Sequence, residues 1–190
     1  MTANDRDDRD DLRDLAETEA SLRRIAMLVA EGVAPQTVFD AVTEEALRRF
    51  RSATTARMIR FESDGTATIL ANDGTSGAHV NVGEAWESYP PTGLTATIQR
   101  TAAPARVEDY GDIPGGEPYL REGLRCSVGM PIHVTGRLWG MIAVGFAQGP
   151  LPPDAEVRMT EFTDLLSTAI ATAHYRAELI ASRKSAWGVA

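Results

Sequence analysis

Arg121-Glu-Gly-Leu-Arg-Cys-Ser-Val-Gly-Met-Pro-Ile-His-Val-Thr-Gly-Arg-Leu-Trp-Gly-Met-Ile-Ala-Val-Gly-Phe146 is the stretch that decides the fold. It reads as the end of a helix, an extended run, the two-residue turn Thr135-Gly136 and a second, more apolar extended run, which is the pattern of a β-hairpin. Alternation puts Met130, Ile132 and Val134 on one face and Pro131 and His133 on the other. One of these faces should meet helices. Gly129 and Gly140 leave room for close approach of a helix or a neighbouring backbone, and Trp139 is a large anchor in an otherwise slim strand. The pattern contains no catalytic group.

Working outward, Gly149-Pro-Leu-Pro-Pro153 stops the second strand and Asp154 is a good N-cap. A long helix is predicted from there to about Ser182, with Val157, Met159, Phe162, Leu165, Leu166, Ala169, Ile170 and Ala173 inside. Upstream, Leu12, Leu15, Leu22, Ala26 and Val29 form a heptad-like stripe, with Ile25 and Leu28 as a second apolar edge. Such a helix suits dimerisation through Leu15, Leu22 and Val29, and a simply buried helix accounts for the same residues. Gly32 ends it, and Pro35 opens a helix with Val38, Phe39, Val42, Ala46, Leu47 and Phe50 on one face.

Thr54 to Glu62 alternates as a strand, with Thr55, Arg57, Ile59 and Phe61 on one side; Ser63-Asp64-Gly65 turns it back along Thr66 to Ala71. Periodicity fades between Asn72 and Gly93, apart from a short strand at His79 to Val82. A helix follows from about Leu94 to Arg100, then a short strand from Pro104 to Tyr110, and a short helix near Pro118 to Glu122. This order predicts an α+β fold: a sheet of about five or six strands dominated by antiparallel pairs, with the terminal helices together on one face. The expected layout is a charged, disordered tail at 1–11, a single domain at 12–182 and a tail at 183–190.

At 190 residues and 43% apolar composition, one domain with a sizeable core is affordable. The net charge of -8 argues against nucleic acid and anionic lipid as partners. Its basic clusters, Arg23-Arg24 and Arg48-Arg49-Arg51, lie in helical patterns and read as solvated faces. The single cysteine, Cys126, excludes a disulfide framework and any multi-cysteine metal site, and fits a reducing cytoplasm. The start lacks a signal-peptide core and no run of about 18 apolar residues occurs, so a cytoplasmic protein is expected.

Several phrases, in order, resemble a GAF domain from Leu22 to Leu179, of the kind found in actinobacterial sensor histidine kinases. They are Leu22-Arg-Arg-Ile-Ala-Met-Leu-Val-Ala-Glu-Gly, Val38-Phe-Asp-Ala-Val, Arg60-Phe-Glu-Ser-Asp-Gly-Thr, Pro104-Ala-Arg-Val-Glu-Asp-Tyr, Arg125-Cys-Ser-Val-Gly-Met-Pro-Ile, Gly136-Arg-Leu-Trp-Gly and Glu161-Phe-Thr-Asp-Leu-Leu-Ser-Thr-Ala-Ile-Ala. The resemblance implies a central antiparallel sheet, a small-molecule pocket on one face roofed by short helices and loops, and terminal helices on the other that relay a signal. An output partner such as a kinase is implied, with its catalysis in a domain or partner outside this chain.

Chemistries known in that family can be sought residue by residue. Methionine-sulfoxide reduction needs several cysteines, against one in this chain. The Asn-Lys…Phe…Asp-Glu signature of cyclic-nucleotide binders is missing from a chain whose sole lysine is Lys184. Asp112-Ile113-Pro114 matches the bilin-site segment of phytochromes, but the Arg and His that normally follow it are absent, which makes the match a coincidence. Haem binding would fall to His133 or His79, with His174 on the long helix; a strand histidine is more commonly a hydrogen-bonded wall residue. Cys126 reads as a packed, inert thiol in preference to a redox sensor. No G-x-S-x-G, H-E-x-x-H or phosphate loop occurs, and the adjacent Glu108-Asp109 face opposite ways on an extended segment.

The leading expectation is therefore a non-catalytic sensory module with a pocket lined by Trp86, Tyr89, Tyr110, Tyr119 and Ser127, its ligand unidentified and its cofactor unknown. Ordinary packing would account for the same five residues. The alternatives are a ligand-free homodimerising interaction module and a haem-binding gas or redox sensor. A cavity large enough for a small molecule favours sensing, and a filled interior favours interaction alone. Any chemistry is expected from the segment between Asn72 and Tyr119.

Overall fold

The computed structural model describes residues 16, 19–74, 81–87 and 89–187, without the side chains of 161, 165, 166, 177, 178 and 180–187. The predicted tail at 1–11, Leu15 and His79 lie outside these residues, as do the side chains of Leu165 and Leu166. Two helices open the described chain, α1 over residues 19–31 and α2 over Pro35–Arg49. Val33 N–H reaches the Leu28 carbonyl and Gly32 N–H the Val29 carbonyl, which satisfies the last carbonyls of α1 and stops it where the sequence places Gly32.

Six strands follow in a single antiparallel sheet. They are β1 (Thr55–Phe61), β2 (Ala67–Gly74), β3 (Ala85–Trp86), β4 (Ala105–Val107), β5 (Cys126–Val134) and β6 (Arg137–Phe146), in the spatial order β3-β2-β1-β6-β5-β4. The opening hairpin is β5–β6, turning at Thr135 and Gly136. It occupies the centre because β6 also pairs with β1, from Thr55↔Gly145 to Arg60↔Gly140. Both hairpin glycines are sites of close approach: a Cβ on Gly140 would meet the Ile59 carbonyl oxygen at 2.2 Å, and one on Gly129 would meet Ile98 at 2.9 Å.

Between β3 and β4 runs α3 (Leu94–Thr101); between β4 and β5 lie a 3₁₀ turn, Tyr110–Asp112, and α4 (Glu117–Arg121). The last helix, α5, spans Ala155–Trp187. Helices α1, α2 and α5 cover one face of the sheet in a core of Ile25, Val38, Phe39, Val42, Phe50, Met58, Met130, Ile132, Trp139, Phe146, Met159 and Phe162 among others. So Met130, Ile132 and Val134 do form the helix-facing side of β5, and His133 is exposed. The register of β1 against β2 shifts between Met58 and Ile59, which lets Leu70 and Ala71 both serve this core.

Several local expectations need correction. Val157 is 62% exposed, because it sits two residues, about 200° of helix rotation, from both Ala155 and Met159, which are fully buried. Ala26 is exposed, and α1 instead packs through Ser21, Leu22, Ile25, Leu28 and Val29. Val82 is in a turn, and the strand of this region is the two-residue Ala85–Trp86. The strand expected to reach Tyr110 ends at Val107, since the Asp109 side chain accepts from Gly111 N–H and starts a 3₁₀ turn instead.

Candidate functional site

The opposite face of the sheet is covered by α3, α4 and the 3₁₀ turn, and its core is built from Ile59, Ile69, Trp86, Leu94, Ile98, Tyr110, Tyr119, Leu124 and Met141. Strand alternation decides this: Thr55, Arg57 and Ile59 share the face of β1 that looks away from Ala56 and Met58. A four-residue aromatic chain crosses the roof. Tyr110 and Tyr119 stack with centroids 4.3 Å apart and planes within 7°, Trp86 tilts onto Tyr119 at 6.2 Å, and Tyr89 meets the edge of Trp86 at 5.2 Å. The stack depends on Gly116, where a Cβ would lie 2.0 Å from the Tyr110 carbonyl oxygen, so only glycine lets α4 settle onto the 3₁₀ turn.

Beneath the rings the sheet contributes apolar groups, Ile59, Met141 and Ala143, and among them several polar ones. Tyr110 Oη and Ser127 Oγ are 2.6 Å apart, and Tyr110 N–H donates to the Arg125 carbonyl at 2.8 Å. Burial pushes the Tyr110 hydroxyl up to about 12, partly offset by the bond to Ser127, and burial raises Tyr119 further still. Both phenols are therefore neutral at physiological pH. Arg57 Nη2 pairs with Glu122 Oε2 at 2.8 Å, the side chains being 7% and 8% exposed, and Arg57 Nε donates to Asn72 Oδ1 at 2.8 Å. Thr55 Oγ1 extends this network, donating to the Asp73 carbonyl at 3.0 Å.

Four of the five predicted site residues, Trp86, Tyr110, Tyr119 and Ser127, line one cavity. Tyr89 does not; its hydroxyl lies 2.5 Å from Gln99 Oε1, and it buttresses Trp86 from outside. The cavity itself is about 30 Å³, room for a water or two, against roughly 300–1,000 Å³ for sites that hold drug-sized ligands. By the criterion set from sequence this interior is filled. The reading also missed Arg57 and Glu122, which lie outside the segment from Asn72 to Tyr119. A signal was present, since Arg57 interrupts an otherwise apolar and hydroxylic strand face, Thr55, Ile59 and Phe61.

Elsewhere, Cys126 is fully buried on the helix side, and desolvation raises its thiol above the ordinary value, as an inert core position requires. His174 packs against Trp139 at 5.3 Å, on the helix side and away from the cavity. Leu22 and Val29, the described members of the dimerisation set, are half-buried against the domain's own core. Among the described residues, no group of three or more His, Cys, Asp or Glu could hold a metal ion, and no helix is long and apolar enough to cross a membrane.

Comparison with solved structures returns the same architecture. A phycocyanobilin-bound GAF domain from a cyanobacterial phytochrome superposes with TM-score 0.64 at 19% identity, covering 83% of this chain and 96% of that one. The GAF domain from Acinetobacter phosphoenolpyruvate-protein phosphotransferase gives 0.62 at 17%, covering 85% and 97%. The chromophore-binding domain of a bacteriophytochrome from R. palustris gives 0.63 at 14%, covering 84% and 63%. At such identities the likeness concerns the fold. No curated protein matches the sequence. The GAF domain family profile matches residues 34–170, from the start of α2 through the sheet and roof into α5, and the chain belongs to the GAF domain family.

Proposed function

We propose that this GAF domain is a non-catalytic sensory or regulatory module that takes a small polar molecule between the sheet and the α3–α4 roof. The change passes through the terminal helices to an output partner, such as a kinase. One observation carries the reading: Arg57, which lines the aromatic-roofed cavity, is buried in an ion pair with Glu122 beside it. Burying two charges costs several kcal/mol per ion before their attraction is counted, and apolar residues of similar volume commonly stabilise as well or better. The helix side of the same sheet is packed almost wholly with apolar groups. A charged floor is then more useful for recognising a polar ligand than for holding the domain together.

Because the enclosed space is about 30 Å³, the occupant enters when Tyr119 and α4 lift away from Tyr110. Neither a bilin nor haem is the occupant proposed, since Asp112-Ile113-Pro114 and His133, exposed on β5, are not among the residues that line the cavity. For the relay, Arg176 Nη1 of α5 donates to the Val29 carbonyl at the end of α1 at 2.5 Å, tying the two terminal helices together. A cytoplasmic homodimer through α1 and the outer face of α5 fits the apolar groups exposed there, Met27 at 54%, Tyr175 at 48% and Leu179 at 54%.

A second reading, the ligand-free interaction module, is favoured by the filled cavity. Native mass spectrometry of the gently purified chain separates the two. A stoichiometric small-molecule adduct that disappears in the double variant Arg57→Met, Glu122→Leu supports sensing; bare mass after exposure to a metabolite extract leaves the interaction module as the function.

A further inference from the structure

We infer that a second site, a cleft between α1, the end of α2 and the first turn of α5, binds a phosphate-bearing small molecule. Its volume is about 740 Å³, within the range of roughly 300–1,000 Å³ typical of ligand sites. Among the described residues five guanidinium groups line it, Arg24, Arg48, Arg49, Arg51 and Arg158, with Glu45 as the sole lining carboxylate. On a chain of net charge -8 this is a concentration of positive charge that composition hides. Four of these arginines come from the two clusters read from sequence as solvated faces and Arg158 from a third segment, and the packing of α1, α2 and α5 gathers them around one concavity.

The groups are held in place. Glu45, 7% exposed, pairs with Arg24 Nη2 at 2.9 Å and with Arg48, and also accepts from the Ser21 hydroxyl. Arg158 donates to the Arg49 carbonyl and lies over the Phe50 ring at 4.6 Å, while Arg49 lies over Phe162 at 5.5 Å. Arg24 and Arg48 remain about half exposed, at 56% and 50%. Glu44 also pairs with Arg48 at 2.7 Å and Asp154 with Arg158 at 3.9 Å, so three carboxylates face five guanidiniums and an excess of positive charge remains. Each guanidinium is a planar fork of N–H groups matched to phosphate and carboxylate oxygens. Like charges gathered this closely repel, and a multiply charged oxyanion relieves the repulsion. An anion held by Arg24, Arg51 and Arg158 would also clamp α1 and α2 to the start of α5, so its binding would bear on the helices that join this domain to a partner.

The test is calorimetric titration of the full chain with inorganic tripolyphosphate at a fixed ionic strength of about 0.15 M, which screens diffuse attraction. The expected result is one saturable site, weakened about tenfold or more in Arg51→Glu and in Arg24→Ala, and unchanged in Arg137→Ala, an exposed arginine at the β5–β6 turn. Thermal melting without ligand should be the same for Arg51→Glu and the parent, since Arg51 is an exposed turn residue. The proposal is overturned by the absence of saturable heat or by equal weakening in Arg137→Ala. It is also overturned if an Asp/Glu-rich peptide titrates the same arginines more tightly than the polyphosphate, which would make the cleft a docking surface for an acidic chain.

Discussion

The two faces of this sheet solve the same problem with different materials. Against α1, α2 and α5 the sheet buries aliphatic and aromatic groups, with Phe50 and Phe146 meeting edge to face at 6.2 Å and Phe39 tilted onto Trp139 at 6.3 Å. Against α3 and α4 it buries an ion pair, a phenol–hydroxyl bond and a stack of rings around a small void. The first arrangement is what burial of apolar area alone would select, at roughly 25 cal/mol per Å². The second incurs a desolvation cost on the order of several kcal/mol per ion before the attraction of the pair is counted. The contrast separates the face whose packing holds the domain together from the face at which recognition is proposed.

The largest effect should come from the helix side. Phe146→Ala, at a residue 2% exposed beneath Phe50, should lower the unfolding free energy by about 3–5 kcal/mol in urea titration. A loss under 1 kcal/mol would mean that this core is not the stabilising one.

Next comes the buried pair. Glu122→Gln leaves Arg57 charged with only neutral partners at that position and should cost about 3 kcal/mol, whereas Arg57→Met with Glu122→Leu should return to within about 1 kcal/mol of the parent. If the double variant is as unstable as the single one, the pair is structural and the contrast between the faces collapses.

The smallest effect is at Tyr110. Tyr110→Phe removes the hydrogen bond to Ser127 and should cost about 1 kcal/mol. It should also change the alkaline limb of stability. The Tyr110 hydroxyl is raised from 10 to about 12 in the folded protein, so the neutral phenol favours folding. That contribution is whole below pH 10 and is lost as pH rises through about 12. Melting temperatures between pH 9 and 12 should therefore fall more steeply for the parent than for Tyr110→Phe, the remaining fall coming from Tyr119, which burial also raises. Parallel curves would place Tyr110 in contact with solvent and open the roof.

Much of this is legible in the amino-acid sequence. Alternation grouped Met130, Ile132 and Val134 on one face of β5 and Thr55, Arg57 and Ile59 on one side of β1, because side-chain direction in a strand has a fixed period of two. Which sides share a core was settled only by the pairing of the strands. The bulge at Leu70 was not legible, since a register shift is settled only by pairing with β1. Segment position placed Trp86, Tyr110 and Tyr119 among residues that line the cavity, but it also drew in Tyr89, which faces Gln99 and Gly65 instead. Arg57 and Glu122 are 65 positions apart, and no local pattern connects them.

What the sequence determined by itself is whatever depends on periodicity and on backbone-specific residues. It set the order of helices and strands, the hairpin of residues 126–146 and its glycines, the end of α1 at Gly32, and the family to which those phrases belong. What tertiary structure alone decided is which distant side chains share a space. The filling of the pocket by the Tyr110–Tyr119 stack, the burial of Arg57 against Glu122 and the convergence of arginines from positions 24, 48–51 and 158 on one cleft all follow from three-dimensional packing. The physical reason is the reach of the forces involved. Backbone preferences act over a few residues, whereas burial and charge act between whatever the folded chain brings within a few ångströms.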